Sequence, residues 1–322
     1  MEQRSLGRSG LRVSRVGLGT MTWGRDTDEH EAADQLKVFL DAGGTLLDTA
    51  AGYGDGASEG LIGDLLRSAV GRDEVVLATK AGISRRTGER VVDTSRRAML
   101  DALDASLERL GTDHVDLWQV HTWSDAVPLE ETLGALDAAV ASGRTRYVGV
   151  SNFSGWQTGR AVAWQAAWPG RAPVVSTQME YSLLQRGIER EVLPCAEALG
   201  LGVLPWSPLG RGVLTGKYRT GTPADSRAAS PHFAGFLDRV LTDRARGIAD
   251  AVHTAAEGLD VAPVEVALAW VRDAPGVTAP VVGARTAAQL RGSLAAESLT
   301  LPPEIRAALD DVSAPALDYP ER

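Results

Sequence analysis

The chain is short of several residue types, and each shortage closes off a class of protein. Cysteine is limited to Cys195, so neither a disulfide scaffold nor a cysteine-built zinc site can be assembled. Aromatics make up only 5% of the 322 residues, so a core has to be built mainly from Ala, Val and Leu. Among 33 basic residues the only lysines are Lys37, Lys80 and Lys217. Basic residues are not in excess either: the net charge is −9, which argues against the cationic footprint of a nucleic-acid binder. Long apolar runs are missing. The most apolar late stretch, 261–271, is interrupted by Glu265 and falls well short of the ~20 residues of a membrane span. The N-terminus carries charge before any apolar run and lacks the apolar run of a signal peptide. The expectation is a cytoplasmic protein with neither nucleic acid nor membrane as partner.

What is present is ordinary in amount, 44% hydrophobic and 23% charged, but regular in order. A hairpin is expected first, with arms 4–6 and 11–13 around Gly7-Arg8-Ser9-Gly10. Short β-rich runs then alternate with longer helical ones. Strands are expected at 16–19, 45–48, 75–78, 115–120, 147–150, 174–177, 202–205 and 278–282. Helices are expected at 29–41, 58–70, 94–110, 129–142, from 154, at 188–199, at 241–257 with 263–273, and from 286. Such alternation implies parallel strands joined by right-handed crossovers. Eight units in roughly 300 residues fit a single (β/α)₈ TIM barrel over 1–322. The rival is an open doubly wound sheet. It would carry a third glycine after the first strand, where Gly17 and Gly19 are followed by Thr22. The polar stretch 220–231 reads as a long loop after strand seven, on the catalytic face.

Reactive groups in a barrel gather where its strands end. Taken in order, those ends hold Asp48 with Tyr53 in the loop beyond it, then Lys80, His121, Ser151-Asn152 and Gln178. A phenol has an ordinary pKa of about 10, and a nearby ammonium lowers it; Lys80 is placed to do so. A buried lysine needs a carboxylate, and Asp48 is the candidate. His121 is placed to orient or polarise a carbonyl oxygen. Gly210 to Tyr218 imitates a phosphate-binding loop, but Arg211 stands where its first glycine is needed and Tyr218 replaces the Ser/Thr. Trp23 and Trp123 follow strands one and four, as walls of a substrate pocket or as packing beneath a loop.

These stretches resemble the aldo-keto reductases. The likeness is carried by Gly17-Leu18-Gly19-Thr20-Met21, Asp48-Thr49-Ala50-Ala51-Gly52-Tyr53-Gly54, Ser58-Glu59, Ala78-Thr79-Lys80 and Asp116-Leu117-Trp118-Gln119-Val120-His121. Gly149-Val150-Ser151-Asn152-Phe153, Gln178-Met179-Glu180-Tyr181-Ser182, Trp206-Ser207-Pro208-Leu209-Gly210-Arg211-Gly212 and Gly283-Ala284-Arg285-Thr286 continue it. The later stretches match the branch containing bacterial reductases and potassium-channel β-subunits. The resemblance implies reduction of an aldehyde or ketone with NADPH. Tyr53 would be the general acid, Lys80 its modulator, Asp48 the partner of Lys80 and His121 the carbonyl-orienting group. It likewise implies that Ser151, Asn152 and Gln178 bond the nicotinamide carboxamide and that Trp206 stacks on the ring. Ser207, Leu209, Arg211 and Lys217, with Arg227 further on, match the pyrophosphate loop; Gly283, Arg285 and Gln289 match the adenosine-phosphate end. Lys217, Arg227 and Arg285 would neutralise a 2′-phosphate. Two departures stand out: Gly292-Ser293 replaces the usual Glu-Asn pair, and Gly60 replaces a second Glu after Ser58-Glu59.

Two other functions compete. Lys80 as a Schiff-base nucleophile would require a neutral amine, which an acid beside it opposes. A redox-sensing regulatory barrel of the channel β-subunit type would keep the cofactor with little turnover.

Overall fold

Each short apolar run between 17 and 282 pairs in parallel with the run before it, and the last pairs with the first. The computed structural model describes residues 1–84, 88–218 and 241–315. An antiparallel hairpin, β1 (Gln3–Ser5) with β2 (Arg12–Ser14), comes first. Strands β3 (Gly17–Gly19), β4 (Leu46–Asp48) and β5 (Val76–Ala81) open the barrel. A small antiparallel pair, β6 (Ile83–Ser84) with β7 (Val91–Val92), follows. Strands β8 (Val115–Val120), β9 (Thr145–Ser151), β10 (Val174–Glu180), β11 (Gly202–Trp206) and β12 (Val281–Val282) complete it. The eight barrel strands close in the order β3, β4, β5, β8, β9, β10, β11, β12, which makes the fold a (β/α)₈ TIM barrel with an N-terminal hairpin.

Helices fill the crossovers: α1 (Glu29–Asp41), α2 (Ala57–Ser68), α3 (Arg96–Leu110), α4 (Leu129–Ala141), α5 (Gly155–Ala166) and α6 (Val192–Leu199). Then come α7 (Asp243–Leu259), α8 (Pro263–Arg272), α9 (Ala287–Leu294) and α10 (Pro303–Ser313). Their starts are set by side chains that take up free backbone N–H groups: Asp28, Ser95, Ser154, Thr242 and Thr286 each accept one in the first turn.

Alternation along the strands sorts side chains into two cores. Leu47, Leu77, Trp118, Val120, Val148 and Val203 face outward and meet Phe39, Ile62, Leu103 and Leu133 of the helices. Leu46, Ala78, Leu117, Leu204 and Val281 face inward and form a separate cluster with Leu6 and Val13 of the hairpin. The hairpin plugs the end where strands begin. Its Ser14 N–H donates to Thr45 Oγ1 at 2.9 Å, and Gly7 lies so close to Gly202 that a Cβ on Gly202 would come within 2.5 Å of Leu6.

Several elements differ from the sequence reading, the β6–β7 pair among them. The last strand pairs only over Val281–Val282 because Pro280 has no N–H to give a ladder; upstream a single bridge joins Val203 to Val277. The helix expected at 188–199 begins at Val192, since Pro194 belongs within a first helical turn, where its missing N–H goes unneeded. The helix α10 was not anticipated, although Pro303 at its first position is a start signal. Residues 220–231, expected as a long loop, lie outside the described residues.

Candidate active site

The strand ends bring the ionisable groups together as their order implies. Lys80 is 1% exposed and Asp48 2%. The Lys80 ammonium donates to Asp48 Oδ2 at 2.6 Å and to the Thr49 carbonyl at 2.7 Å. The same ammonium lies 5.3 Å from the centre of the Tyr53 ring, and its charge favours the phenolate. His121 meets the Tyr53 ring edge-on, with centroids 6.0 Å apart.

Local sequence explains the placement of Tyr53. Its N–H donates to the Ala50 carbonyl at 3.0 Å, and Ala51 N–H donates to the Lys80 carbonyl at 3.0 Å, so the loop is fastened to β5. Gly54, Asp55 and Gly56 then turn the chain with positive φ. Among non-glycine residues Asn152, Ser207, Arg211 and Asp260 share that left-handed conformation; the first three belong to loops beyond strand ends, and Asp260 caps the end of α7. Such geometry costs about 1–3 kcal/mol per residue and concentrates where position matters more than stability.

Electrostatics assigns each group a protonation state. Burial is the largest influence on Tyr53 and raises its pKa; Lys80 lowers it and Asp48 raises it, and the outcome lies above the ordinary phenol value. Lys80 therefore acts in the expected direction but burial outweighs it, so the phenol keeps its proton at neutral pH. Burial also works against the Lys80 charge, yet Asp48 and Tyr53 overcome it and hold the pKa above the ordinary value. That leaves an ammonium, not a free amine. Burial, then Lys80 and Arg90, lower the His121 pKa to about 3, so the imidazole is neutral. Its Nδ1 is buried without a partner.

The expected carboxamide ligands surround this centre. Ser151 Oγ donates to the Gln178 carbonyl at 2.9 Å. Asn152 Nδ2 donates to the His121 carbonyl at 2.9 Å and to Ser151 Oγ at 3.1 Å, and its Oδ1 accepts from Trp206 Nε1 at 3.1 Å. Gln178 Nε2 donates to Asp48 Oδ1 at 2.9 Å. Its amide oxygen accepts nothing among the described residues, an acceptor suited to a carboxamide N–H. Trp206 is half-buried at the end of β11, with the Arg211 guanidinium 6.0 Å from the centre of its ring.

Further out, Arg211 is held by Glu180, Nε to Oε1 at 3.0 Å and a second nitrogen to Oε2 at 2.9 Å. Ser207 and Leu209 supply carbonyls that close the turns to Gly210 and Gly212. Lys217 lies 5.2 Å from the Tyr218 ring. Gly283 is exposed, and Gln289 Oε1 accepts the Arg285 N–H at 3.0 Å. Arg227 lies outside the described residues. The cations, the amide acceptor and the indole face fit a dinucleotide in chemistry.

The tryptophans divide. Trp23 is fully buried and donates to Gln35 Oε1 at 3.1 Å; it packs beneath its loop against α1 and offers no pocket wall. Trp123 is half-buried, edge-on to Phe153 at 5.2 Å and to Trp156 at 5.3 Å.

Comparisons with known proteins show the family. A family model described as "Aldo/keto reductase family" matches residues 15–314. The chain belongs to the aldo/keto reductase family. It is 38% identical to the uncharacterized oxidoreductase YrpG of Bacillus subtilis, covering 100% of this chain and 99% of YrpG. It is 34% identical to a probable voltage-gated potassium channel subunit beta of Oryza sativa, over 100% of this chain and 98% of that one. It is 33% identical to the L-glyceraldehyde 3-phosphate reductase of Escherichia coli K12, over 92% and 87% of the two chains. Membership makes the chain an oxidoreductase. No helix among the described residues is long and apolar enough to cross a membrane.

In this aldo/keto reductase one supporting group escaped the sequence reading. Glu59 is fully buried; it accepts from Thr79 Oγ1 at 2.5 Å and from Arg109 at 2.9 and 2.6 Å. It therefore pins α2 and α3 to the strand residue next to Lys80. A glutamate in a first helical turn looks like an ordinary dipole-complementing residue, and only the fold brings Arg109 to it.

Proposed function

We propose that this aldo/keto reductase reduces an aldehyde or ketone of a small molecule to the alcohol, drawing on NADPH, and that it works in the cytoplasm. The observation that carries the reading is the buried Lys80 ammonium, bonded to Asp48 at 2.6 Å while acting on a protonated Tyr53 phenol. A reduced nicotinamide held at this site would supply the hydride that the carbonyl carbon takes up. The C=O π pair moves onto oxygen, and the Tyr53 O–H delivers its proton there. Lys80 stabilises the phenolate left behind, and Asp48 keeps Lys80 charged. Neutral His121 orients or polarises the substrate oxygen without competing for its proton. Ser151, Asn152 and Gln178 would hold the carboxamide and Trp206 the ring face. Arg211, Lys217, Arg227, Gly283, Arg285, Gln289 and the turn at Ser207 and Leu209 would take the phosphates and adenosine.

The test is Tyr53→Phe assayed for cofactor oxidation over a panel of aldehydes and ketones, with cofactor binding followed by protein fluorescence. Turnover is expected to fall while binding persists; full turnover in the variant overturns the assignment. The relatives named as channel subunits favour one other reading, a cofactor-sensing regulatory barrel. Steady-state turnover on the same panel decides between them.

A further inference from the structure

Gln178 lies on β10 and Asp48 on β4, strands separated around the barrel wall by β11, β12 and β3. Their side chains nevertheless meet, Nε2 to Oδ1 at 2.9 Å, so the bond crosses the barrel interior. Gln178 is 2% exposed, and its backbone is tied in place: its carbonyl accepts Ser151 Oγ at 2.9 Å and the Asn152 N–H at 3.0 Å. The Asp48 carboxylate is thus gripped on both sides, Oδ1 by Gln178 and Oδ2 by Lys80.

An ammonium has three N–H groups. One reaches Asp48 Oδ2 and one the Thr49 carbonyl, which leaves a third, with the centre of the Tyr53 ring 5.3 Å from the nitrogen. This division depends on Asp48 presenting a single oxygen to Lys80. We propose that Gln178 is a positioning residue for the proton-transfer machinery: by occupying Oδ1 it prevents Asp48 from chelating Lys80 through both oxygens and so keeps the third N–H on the phenol. The proposal rests on the catalytic reading above and goes beyond a cofactor contact. The amide that would meet the carboxamide through its oxygen tunes the acidity of Tyr53 through its nitrogen.

The test is made on the protein without cofactor. Tyrosines labelled with ¹³C at Cζ are titrated into the alkaline range, and the Tyr53 signal is identified by its loss in Tyr53→Phe. In Gln178→Leu the fraction of Tyr53 ionised at a fixed alkaline pH is expected to fall about threefold, an upward shift of about half a unit, as the ammonium is drawn toward Asp48. Gln178→Glu keeps the shape but adds a second carboxylate, and is expected to shift Tyr53 upward as well; it serves if the leucine variant fails to fold. Trp206→Phe, which does not touch Asp48, is expected to leave the titration unmoved. Activity gives a second readout: at saturating cofactor, Gln178→Leu lowers kcat and moves the alkaline limb of its pH profile. A Tyr53 titration unchanged in both Gln178 variants overturns the proposal. Turnover surviving in Tyr53→Phe would instead remove the catalytic reading, with the titration still reporting whether Gln178 acts on Tyr53.

Discussion

The two ends of the barrel interior are made from the same strands and have opposite characters. Where strands begin, Leu46, Ala78, Leu117 and Leu204 close on the hairpin residues Leu6 and Val13 with no charge among them. Two residues further along β4 and β5 the inward positions become Asp48 and Lys80, and beyond β9 and β11 the backbone adopts left-handed φ at Asn152 and Ser207. The apolar end supplies stability and the polar end holds costly groups in place. A buried ion pair is weak support for a fold, because desolvation offsets its attraction. Its presence at one end only indicates that the lower layer stabilises what the upper layer requires.

That comparison can be broken by substitutions at either end. The largest effect is expected from Tyr53→Phe: a loss of about 10²–10⁴ in kcat with an unchanged melting temperature, checked by steady-state assay and calorimetry. Leu117→Ala should do the reverse, costing about 2–5 kcal/mol of stability in denaturant unfolding while the folded protein keeps its kcat. A strong loss of kcat there would mean that the two layers are not separable. Gly202→Ala should cost about 1–3 kcal/mol, because the new methyl meets Leu6 and the Gly7 backbone; urea unfolding reads it.

Acid sharpens the contrast through His121. Its folded pKa of about 3 lies below its ordinary 6.5, so between these values the unfolded chain binds the extra proton. Its contribution is therefore present above pH 6.5 and lost as pH falls toward 3. Melting temperatures followed from neutral to acid should fall less steeply in His121→Gln; parallel curves would show that His121 does not carry the slope. The smallest effect is expected at the rim. Arg285→Ala should weaken NADPH by about tenfold, roughly 1.4 kcal/mol, and leave NADH nearly unchanged, as read by cofactor titration at moderate salt.

Much of the fold was legible because it rests on local signals. Alternating apolar runs, Gly43-Gly44 after α1, and Ser154 with Gln157 at the start of α5 each specify an element without help from elsewhere. Strand ends were less so: Lys80 lies inside β5, not at its edge, because ladder length is set by the neighbouring strand. The grouping of Asp48, Tyr53, Lys80 and His121 was also readable, since barrel topology places successive strand ends on one rim. The fate of Trp23 was not, because an indole after a strand has the same local sequence whether it faces ligand or Gln35.

Residue order alone therefore determined the architecture and the list of reactive groups, since both follow from periodicity and from where strands stop. Only the folded chain decided their states. Tyr53 remains a phenol because burial outweighs Lys80, and Gln178 reaches Asp48 across the lumen because closure brings distant strands face to face. Desolvation and through-space contact depend on what surrounds a group in three dimensions, and neighbours along the chain do not encode that.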